Sequence, residues 1–335
     1  MKNKSVLLLF LGLNSITISF AQVLPTFGNS RSGAAGMQFL KIWPDARSGS
    51  LGGAVTAIAN DPSAAYWNPA GLIKGDTGKF KLQISNTRYF ANTNQYWVSA
   101  VFNRGKYAKL GLSLAYNDYG SMMETTEFQP FGTGRAFSMN SWTLAGSYAR
   151  VLTDFFSFGL NMKWAHEGLA GVAVNNLLFD FGLRYDLDIR NARFAVTINN
   201  FGANVQPNGH MSVLKFSGQS DIASYQRISV PAVFRLGFAM DAWRGNNQFI
   251  IGTAQLNHYS DNNETLSIGA EYAWHKLLYL RTGYEFGIDE GGFPSAGFGL
   301  KLQKRAGTLS IDYGFCNKIR LGNTHRIGLV WNMKR

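Results

Sequence analysis

The chain has 335 residues, 32 lysines and arginines against 20 acidic residues, and a formal net charge of +12. Its single cysteine, Cys316, excludes an intrachain disulfide framework, and 37 glycines without a Gly-X-Y period exclude a collagen-like chain. The basic residues are scattered rather than gathered into a stripe, which speaks against nucleic acid and suits an anionic membrane surface or partner.

Residues 1–21 have the layout of a signal peptide. Lys2 and Lys4 give a basic start, Val6 to Leu13 an apolar run, and Ser19-Phe20-Ala21 a small-x-small cleavage site. The run is shorter than the roughly 20 residues a membrane-spanning helix needs. Residues 22–78 follow as an N-terminal plug or hatch segment. Within it, Leu51 to Asn60 suggests a short helix with Ser50 as its cap, Asp61-Pro62 a stop, and Asn68-Pro69-Ala70-Gly71 a second turn. Gly52, Gly53, Ala54, Ala57 and Ala59 keep the segment slim, so it suits the inside of a barrel or a cap below one.

Residues 79–335 alternate polar and apolar at a period of two. In "FSFGLNMKW", Phe156, Phe158, Leu160, Met162 and Trp164 oppose Ser157, Gly159, Asn161 and Lys163. In "LSIGAEYAW", Leu266, Ile268, Ala270, Tyr272 and Trp274 oppose Ser267, Gly269 and Glu271. Toward the end, Ile327, Leu329, Trp331 and Met333 share a face, with Val330 breaking the pattern on the other. Fourteen strands are expected: 79–88, 94–104, 107–118, 137–150, 155–166, 176–188, 192–200, 227–239, 248–258, 264–275, 277–286, 295–303, 307–315 and 325–335. The longest connections, 119–136 and 201–226, fall at one end, as in outer-membrane barrels with short periplasmic turns and long external loops. A soluble sandwich or propeller has no reason to keep that parity, and no blade-like repeat is visible. The expected fold is all-β: a fourteen-stranded antiparallel transmembrane β-barrel in the cell outer membrane, its N-terminus periplasmic. Gly159, Gly269, Gly283 and Gly314 on the inner face would admit a plug or ease curvature. Tyr148, Trp164, Trp274 and Trp331 suit interfacial girdles.

The chemistry of catalysis is missing. His166, His210, His258, His275 and His325 have no ligand spacing, Cys316 has no neighbouring partner, and no G-x-S-x-G elbow occurs, so no metal, no cofactor and no enzyme activity are expected. Asp180, Asp186, Glu271 and Asp312 lie in strands, where a lumen network is the simpler role than a catalytic dyad. The long connections carry apolar residues: Met122, Met123, Phe128 and Phe131 in one, Met211, Leu214, Phe216 and Ile222 in the other. These are candidate partner-binding loops, or segments that fold inward.

One motif is long. Arg47-Ser48-Gly49, Gly52-Gly53-Ala54, Asn60-Asp61-Pro62-Ser63-Ala64 and Trp67-Asn68-Pro69-Ala70-Gly71-Leu72 resemble the N-terminal signature of the PorV/PorQ-like family. Ile228 to Gly237 resembles the strand after that family's long central loop. These are outer-membrane barrels of type IX protein secretion and gliding motility in Bacteroidota, related to the long-chain fatty-acid transporter (FadL) family. The resemblance implies a fourteen-stranded barrel with an N-terminal plug. Its implied partners are the type IX translocon, the attachment complex and the sorting domains of exported cargo, besides outer-membrane lipid. The alternative is FadL-like transport or binding of a hydrophobic small molecule. An apolar lumen pocket and a lateral exit, with Pro231 as a candidate strand disruptor, would mark transport. The polar, glycine-rich inner faces favour the partner-binding reading.

Overall fold

The structure is a computed structural model that describes residues 35–333 except 76–77, 106, 216–217, 223 and 289–291. The signal segment and residues 22–34 lie outside the described residues, and with them the periplasmic placement of the mature N-terminus. Fourteen long strands form the wall: β1 (Phe80–Arg88), β2 (Asn94–Asn103), β3 (Ala108–Met123), β4 (Ala136–Val151), β5 (Phe156–Leu169), β6 (Val172–Asp186), β7 (Arg193–Gly202), β8 (Val233–Arg244), β9 (Gln248–Tyr259), β10 (Thr265–Trp274), β11 (Leu278–Phe286), β12 (Ser295–Lys304), β13 (Gly307–Lys318) and β14 (Gly322–Met333). Each pairs antiparallel with its chain neighbours, and β1 pairs with β14 from Phe80↔Met333 to Arg88↔His325. That closure leaves the wall without an edge, so the ladder satisfies the backbone polar groups that lipid could not.

Alternation assigns the two faces as the sequence suggested. In β5, Ser157, Gly159, Asn161 and Lys163 are buried toward the lumen, while Leu160, Met162 and Trp164 are exposed on the outside. The outer face is a continuous apolar band. Tyr96, Tyr116, Trp164, Phe201, Phe234 and Phe286 are exposed toward one rim, and Phe102, Tyr185, Phe194, Trp243, Trp274 and Trp331 toward the other. A patch of that extent on a barrel wall is lipid-facing surface with aromatic girdles.

The three longest connections, 124–135, 203–232 and 287–294, lie at one end, and the other end has only short turns. Several strands outrun their expected limits toward the long-loop end: β3 reaches Met123, β5 Leu169, β13 Lys318, and β6 and β14 begin at Val172 and Gly322. Pairing continues there beyond the apolar band. Water does not impose alternation, so the period-two signal fades before the ladder ends. Met122 and Met123 therefore belong to β3, with Met122 opposite Phe137, and not to a loop. β8 starts at Val233 rather than at 227. Pro231 has no N–H to give a ladder, and residues 228–229 make only isolated bridges.

The N-terminal segment fills the lumen. Ala35 to Lys41 lie at the long-loop end, where Ala35 bridges Ser229 and Lys41 pairs with Asp261 at 3.0 Å. The chain then descends, and Lys74 pairs with Asp186 (2.8 Å) near the short-turn end before β1 begins. The helix expected over 51–60 with a Ser50 cap does not form. Helix α1 is Ala46–Ser50 instead, capped by the Asp45 side chain, which accepts from the Ser48 N–H at 2.8 Å. Gly52 and Gly53 end it, at φ +61° and +81°, a region open to glycine at little steric cost. A second short helix, α2 (Ala64–Trp67), leads into a 3₁₀ turn at Pro69–Ile73, whose Ala70 N–H is capped by Asn68 Oδ1 at 3.0 Å.

The wall is hollowed to receive this segment. A β-carbon on Gly283 would overlap the Leu51 backbone, one on Gly314 the Ala46 carbonyl, and one on Gly159 the Pro69–Ala70 peptide. Gly269, Gly182 and Gly237 receive Leu51, Asn68 with Pro69, and Thr56 with Ala57 in the same way. Gly283→Val or Gly314→Val is expected to lower the barrel's unfolding temperature, at a cost of about 1–3 kcal/mol from overpacking. Gly252→Val, whose β-carbon meets nothing within 4 Å, is the matched control and leaves the temperature unchanged. The check is the heat-dependent mobility shift of the folded barrel on semi-native gels.

Candidate functional site: the plugged lumen

The plug and the wall meet in a charged joint inside the lumen. Arg47 in α1 grips Glu271 of β10 with two hydrogen bonds, Nε to Oε2 at 2.9 Å and Nη2 to Oε1 at 3.0 Å. Its Nη1 donates to Asn60 Oδ1 (2.9 Å) and reaches Asp61 at 3.4 Å. Arg281 of β11 donates to Glu271 (2.7 Å) and to Asp312 of β13 (2.5 Å), which extends the chain of charges across the floor of the lumen. Burial opposes the charge on Arg47, but the carboxylates of Glu271 and Asp61 outweigh it and hold its pKa above the ordinary value.

The Tyr66-Trp67 pair is the plug's second anchor. Trp67 Nε1 donates to Asp45 Oδ1 (2.9 Å), which also accepts from the Ser48 hydroxyl, and Tyr66 Oη donates to the Leu40 carbonyl at 3.0 Å. The Arg235 guanidinium lies over both rings, 5.8 Å from Tyr66 and 5.1 Å from Trp67, and Lys163 lies over Tyr66. Burial raises the Asp45 carboxyl above its usual range and pushes the Tyr66 phenol up to about 12.

Every residue of the long motif serves this joint. Gly49 lies against Arg326, Gly52 against the Tyr284 backbone and Gly53 against the Trp43 ring. The Asp61 carboxylate accepts from the Ser63 hydroxyl, and the Pro62 carbonyl accepts from Ser99 of β2 at 3.1 Å. Asn68 Nδ2 donates to the Thr56 and Leu183 carbonyls, Pro69 fills the hollow at Gly159 and Gly182, and Gly71 packs on the Ala59 carbonyl. Leu51, Ala54, Val55, Ile58, Ala64, Trp67 and Leu72 are buried between plug and wall.

The long 203–232 connection folds inward at both ends. Val205 bridges Ile228, and Ile228 and Val230 pack on Met37, Phe39, Leu40 and Ile42 at the top of the plug. Met211 faces Ile222 across a small hairpin of 211–215 and 218–222, whereas Phe216 and the Leu214 side chain lie outside the description. Phe128 and Phe131 are exposed at the tip of 124–135, Phe131 at 97%. The structure does not bring the two loop groups into one surface with the plug motif. The histidines stay dispersed: His166 with Asn175, His258 with Glu264, and His325 with Tyr313.

Among the described residues, cavities of three sizes border the plug. One of about 250 Å³ at the short-turn end is lined by Arg47, Lys81, Arg193, Glu271, Arg281 and Asp312 among others. A narrow one of about 30 Å³ lies beside Phe39, Leu40, Tyr66, Trp97 and Ala145. The third, about 200 Å³, sits in the long-loop mouth between Trp43, Tyr89, Tyr259, Lys318 and Arg326. Its lining was not singled out from the sequence. The signal was present for Arg326, because Ile327 and Leu329 facing outward turn residue 326 inward.

The architecture is that of FadL-like outer-membrane barrels. Among solved structures, the chain is similar to CymD, a monoaromatic hydrocarbon channel (15% identity, TM-score 0.61, 87% of this chain and 98% of that one). It is likewise similar to the Ralstonia pickettii toluene transporter TbuX (12%, 0.60, 87% and 98%) and to a Pseudomonas aeruginosa FadL homologue (14%, 0.53, 87% and 97%). No protein-family model matches the chain, and no curated protein does by sequence. These neighbours overturn the expectation of a type IX secretion or gliding partner, and with it the PorV/PorQ assignment. CymD is described as a monoaromatic hydrocarbon channel and TbuX as a toluene transporter, which fits the alternative reading better.

Arg47→Ala is expected to free the plug. It leaves Glu271 buried with one cation fewer, a loss of about 3–5 kcal/mol when a buried pair is broken. Planar-bilayer recordings should show a quiet wild type and frequent open events for the variant.

Proposed function

We propose that the chain is an outer-membrane channel for small hydrophobic molecules, with its short-turn end in the periplasm and its long-loop end at the cell surface. The observation that carries the reading is a lumen filled by a packed plug yet lined, in its outer half, by small aromatic-walled cavities. An apolar solute can pass from one aromatic contact to the next, while the plug excludes a continuous water column for ions. The likeness to hydrocarbon and toluene transporters supports the same reading.

The charged floor around Arg47, Glu271, Arg281 and Asp312 disfavours an apolar solute at the short-turn mouth. The wall offers a sideways route. Between β6 and β7 the register shifts, Phe179 facing Phe201 but Phe181 facing Ile198, and Asn200 takes φ +59°. Asp180, Lys163 and Asn200 clamp this seam from inside: Lys163 pairs with Asp180 at 2.7 Å, and Asp180 accepts from the Asn200 N–H at 2.8 Å. Pro231, the disruptor suggested by the sequence, sits beside the seam, its carbonyl accepting from Asn200 Nδ2 at 3.3 Å.

Expression in a host whose intact outer membrane lacks hydrocarbon channels is expected to raise the initial uptake of radiolabelled toluene several-fold. Uptake equal to that of cells carrying an empty vector would refute the reading.

A further inference from the structure

Several cations of the lumen meet a carboxylate. Lys163 has Asp180, Arg47 and Arg281 share Glu271, Arg184 has Asp186, and Lys41 has Asp261. Two buried arginines have no carboxylate within ion-pair distance among the described residues. Arg235 is otherwise engaged, with Asn199 Oδ1 at 2.6 Å and the Tyr66 and Trp67 rings beneath it.

Arg326 is the case left open. It is 4% exposed, its Nε donates to the Trp43 carbonyl at 3.3 Å, its guanidinium lies 5.8 Å from the Trp43 ring, and its Nη1 has no partner. It lines the cavity of about 200 Å³ in the long-loop mouth. The one carboxylate on that lining among the described residues, Glu285, accepts from the Thr265 hydroxyl at 2.9 Å and stands 3.8 Å from Lys318. A buried guanidinium without a counter-charge is costly, by several kcal/mol. A carboxylate entering this cavity would supply the missing counter-charge to the guanidinium, a charge-assisted contact that a neutral ligand cannot make.

The rest of the cavity describes what the carboxylate is attached to. Trp43, Tyr89 and Tyr259 line it, aromatic surface that suits a flat ring. Its volume lies below the roughly 300–1,000 Å³ of pockets that hold drug-sized ligands. We propose that the long-loop mouth binds a small aromatic carboxylate, with its acid on Arg326 and its ring among Trp43, Tyr89 and Tyr259. The inference rests on the channel reading and narrows it, because the neighbouring proteins are described for neutral hydrocarbons.

Benzoate, toluene and acetate titrated into the detergent-purified full chain, followed by calorimetry, test it. Benzoate is expected to bind at least about tenfold more tightly than toluene or acetate, and Arg326→Gln to weaken benzoate about tenfold while leaving toluene unchanged. Arg326→Lys should restore part of the affinity. Lys318→Gln, which removes the second cation of the lining, should weaken benzoate as well. Equal affinity for benzoate and toluene, or no response to Arg326→Gln, overturns the proposal, and acetate binding as well as benzoate overturns the aromatic part. If labelled toluene is still taken up while benzoate does not bind, this inference alone fails; if neither occurs, the channel reading falls with it. The gel mobility shift verifies that each variant is folded.

Discussion

A polypeptide backbone inside a barrel has to come within van der Waals contact of the wall, and side chains on the wall stand in the way. In this protein the obstruction is removed at Gly159, Gly283 and Gly314, where the plug's own backbone occupies the space a β-carbon would take, and at Gly182, where the Asn68 and Pro69 side chains do. The plug answers with small residues of its own, Ala46, Gly52, Ala57 and Ala70. Everything else depends on this fit. With the backbones this close, the short arms of Asn68 and Gln255 span the joint. Asn68 Nδ2 reaches the Leu183 carbonyl at 3.2 Å, and Gln255 Oε1 accepts from the Val55 and Thr56 N–H groups at 3.1 and 2.9 Å. A looser plug would leave those polar groups buried and unpaired.

Charge then fixes orientation where shape alone leaves freedom. The Arg47–Glu271–Arg281–Asp312 chain ties α1 to β10, β11 and β13 at the short-turn side, and Arg235 with Lys163 holds Tyr66 and Trp67 on the opposite wall. The largest ion-pair network of the lumen therefore lies toward the short-turn end, and the aromatic and aliphatic surface around residues 39–43 lies toward the other, beside the smaller Lys41–Asp261 pair. Such a gradient holds an apolar solute in the outer half of the barrel. It also makes the unsatisfied Arg326 conspicuous in that half.

Much of this was legible in the chain. Period-two alternation yielded fourteen strands in the right order and the right inner face for Ser157 to Lys163, because lipid outside and a packed plug inside constrain alternate residues oppositely. The inner glycines pointed to the plug for the same reason. Strand ends were less legible, since β3 and β4 keep pairing in water where no alternation is required. The start of α1 was missed because the Asp45 cap precedes a helix of only Ala46–Ser50, and Gly52 and Gly53 end it where Leu51 to Asn60 looked continuous. The functional reading went astray for a physical reason as well. Arg47, Gly52, Asn60, Trp67, Asn68 and Pro69 all build the plug–wall joint, so their motif reports how a barrel is closed and says little about what it carries. The mouth-cavity residues Trp43, Tyr89, Tyr259 and Arg326 are far apart in sequence and meet only through barrel closure.

The central claim is that residues 45–73 are an integral, hydrogen-bonded part of the barrel's interior. Hydrogen–deuterium exchange of the full chain in nanodiscs measures that directly. Amides across Ser48 to Leu72 are expected to exchange as slowly as those in the middle of β5 and β11, and far more slowly than those of the exposed 124–135 loop. Exchange of the 45–73 peptides at the rate of that loop would contradict the account.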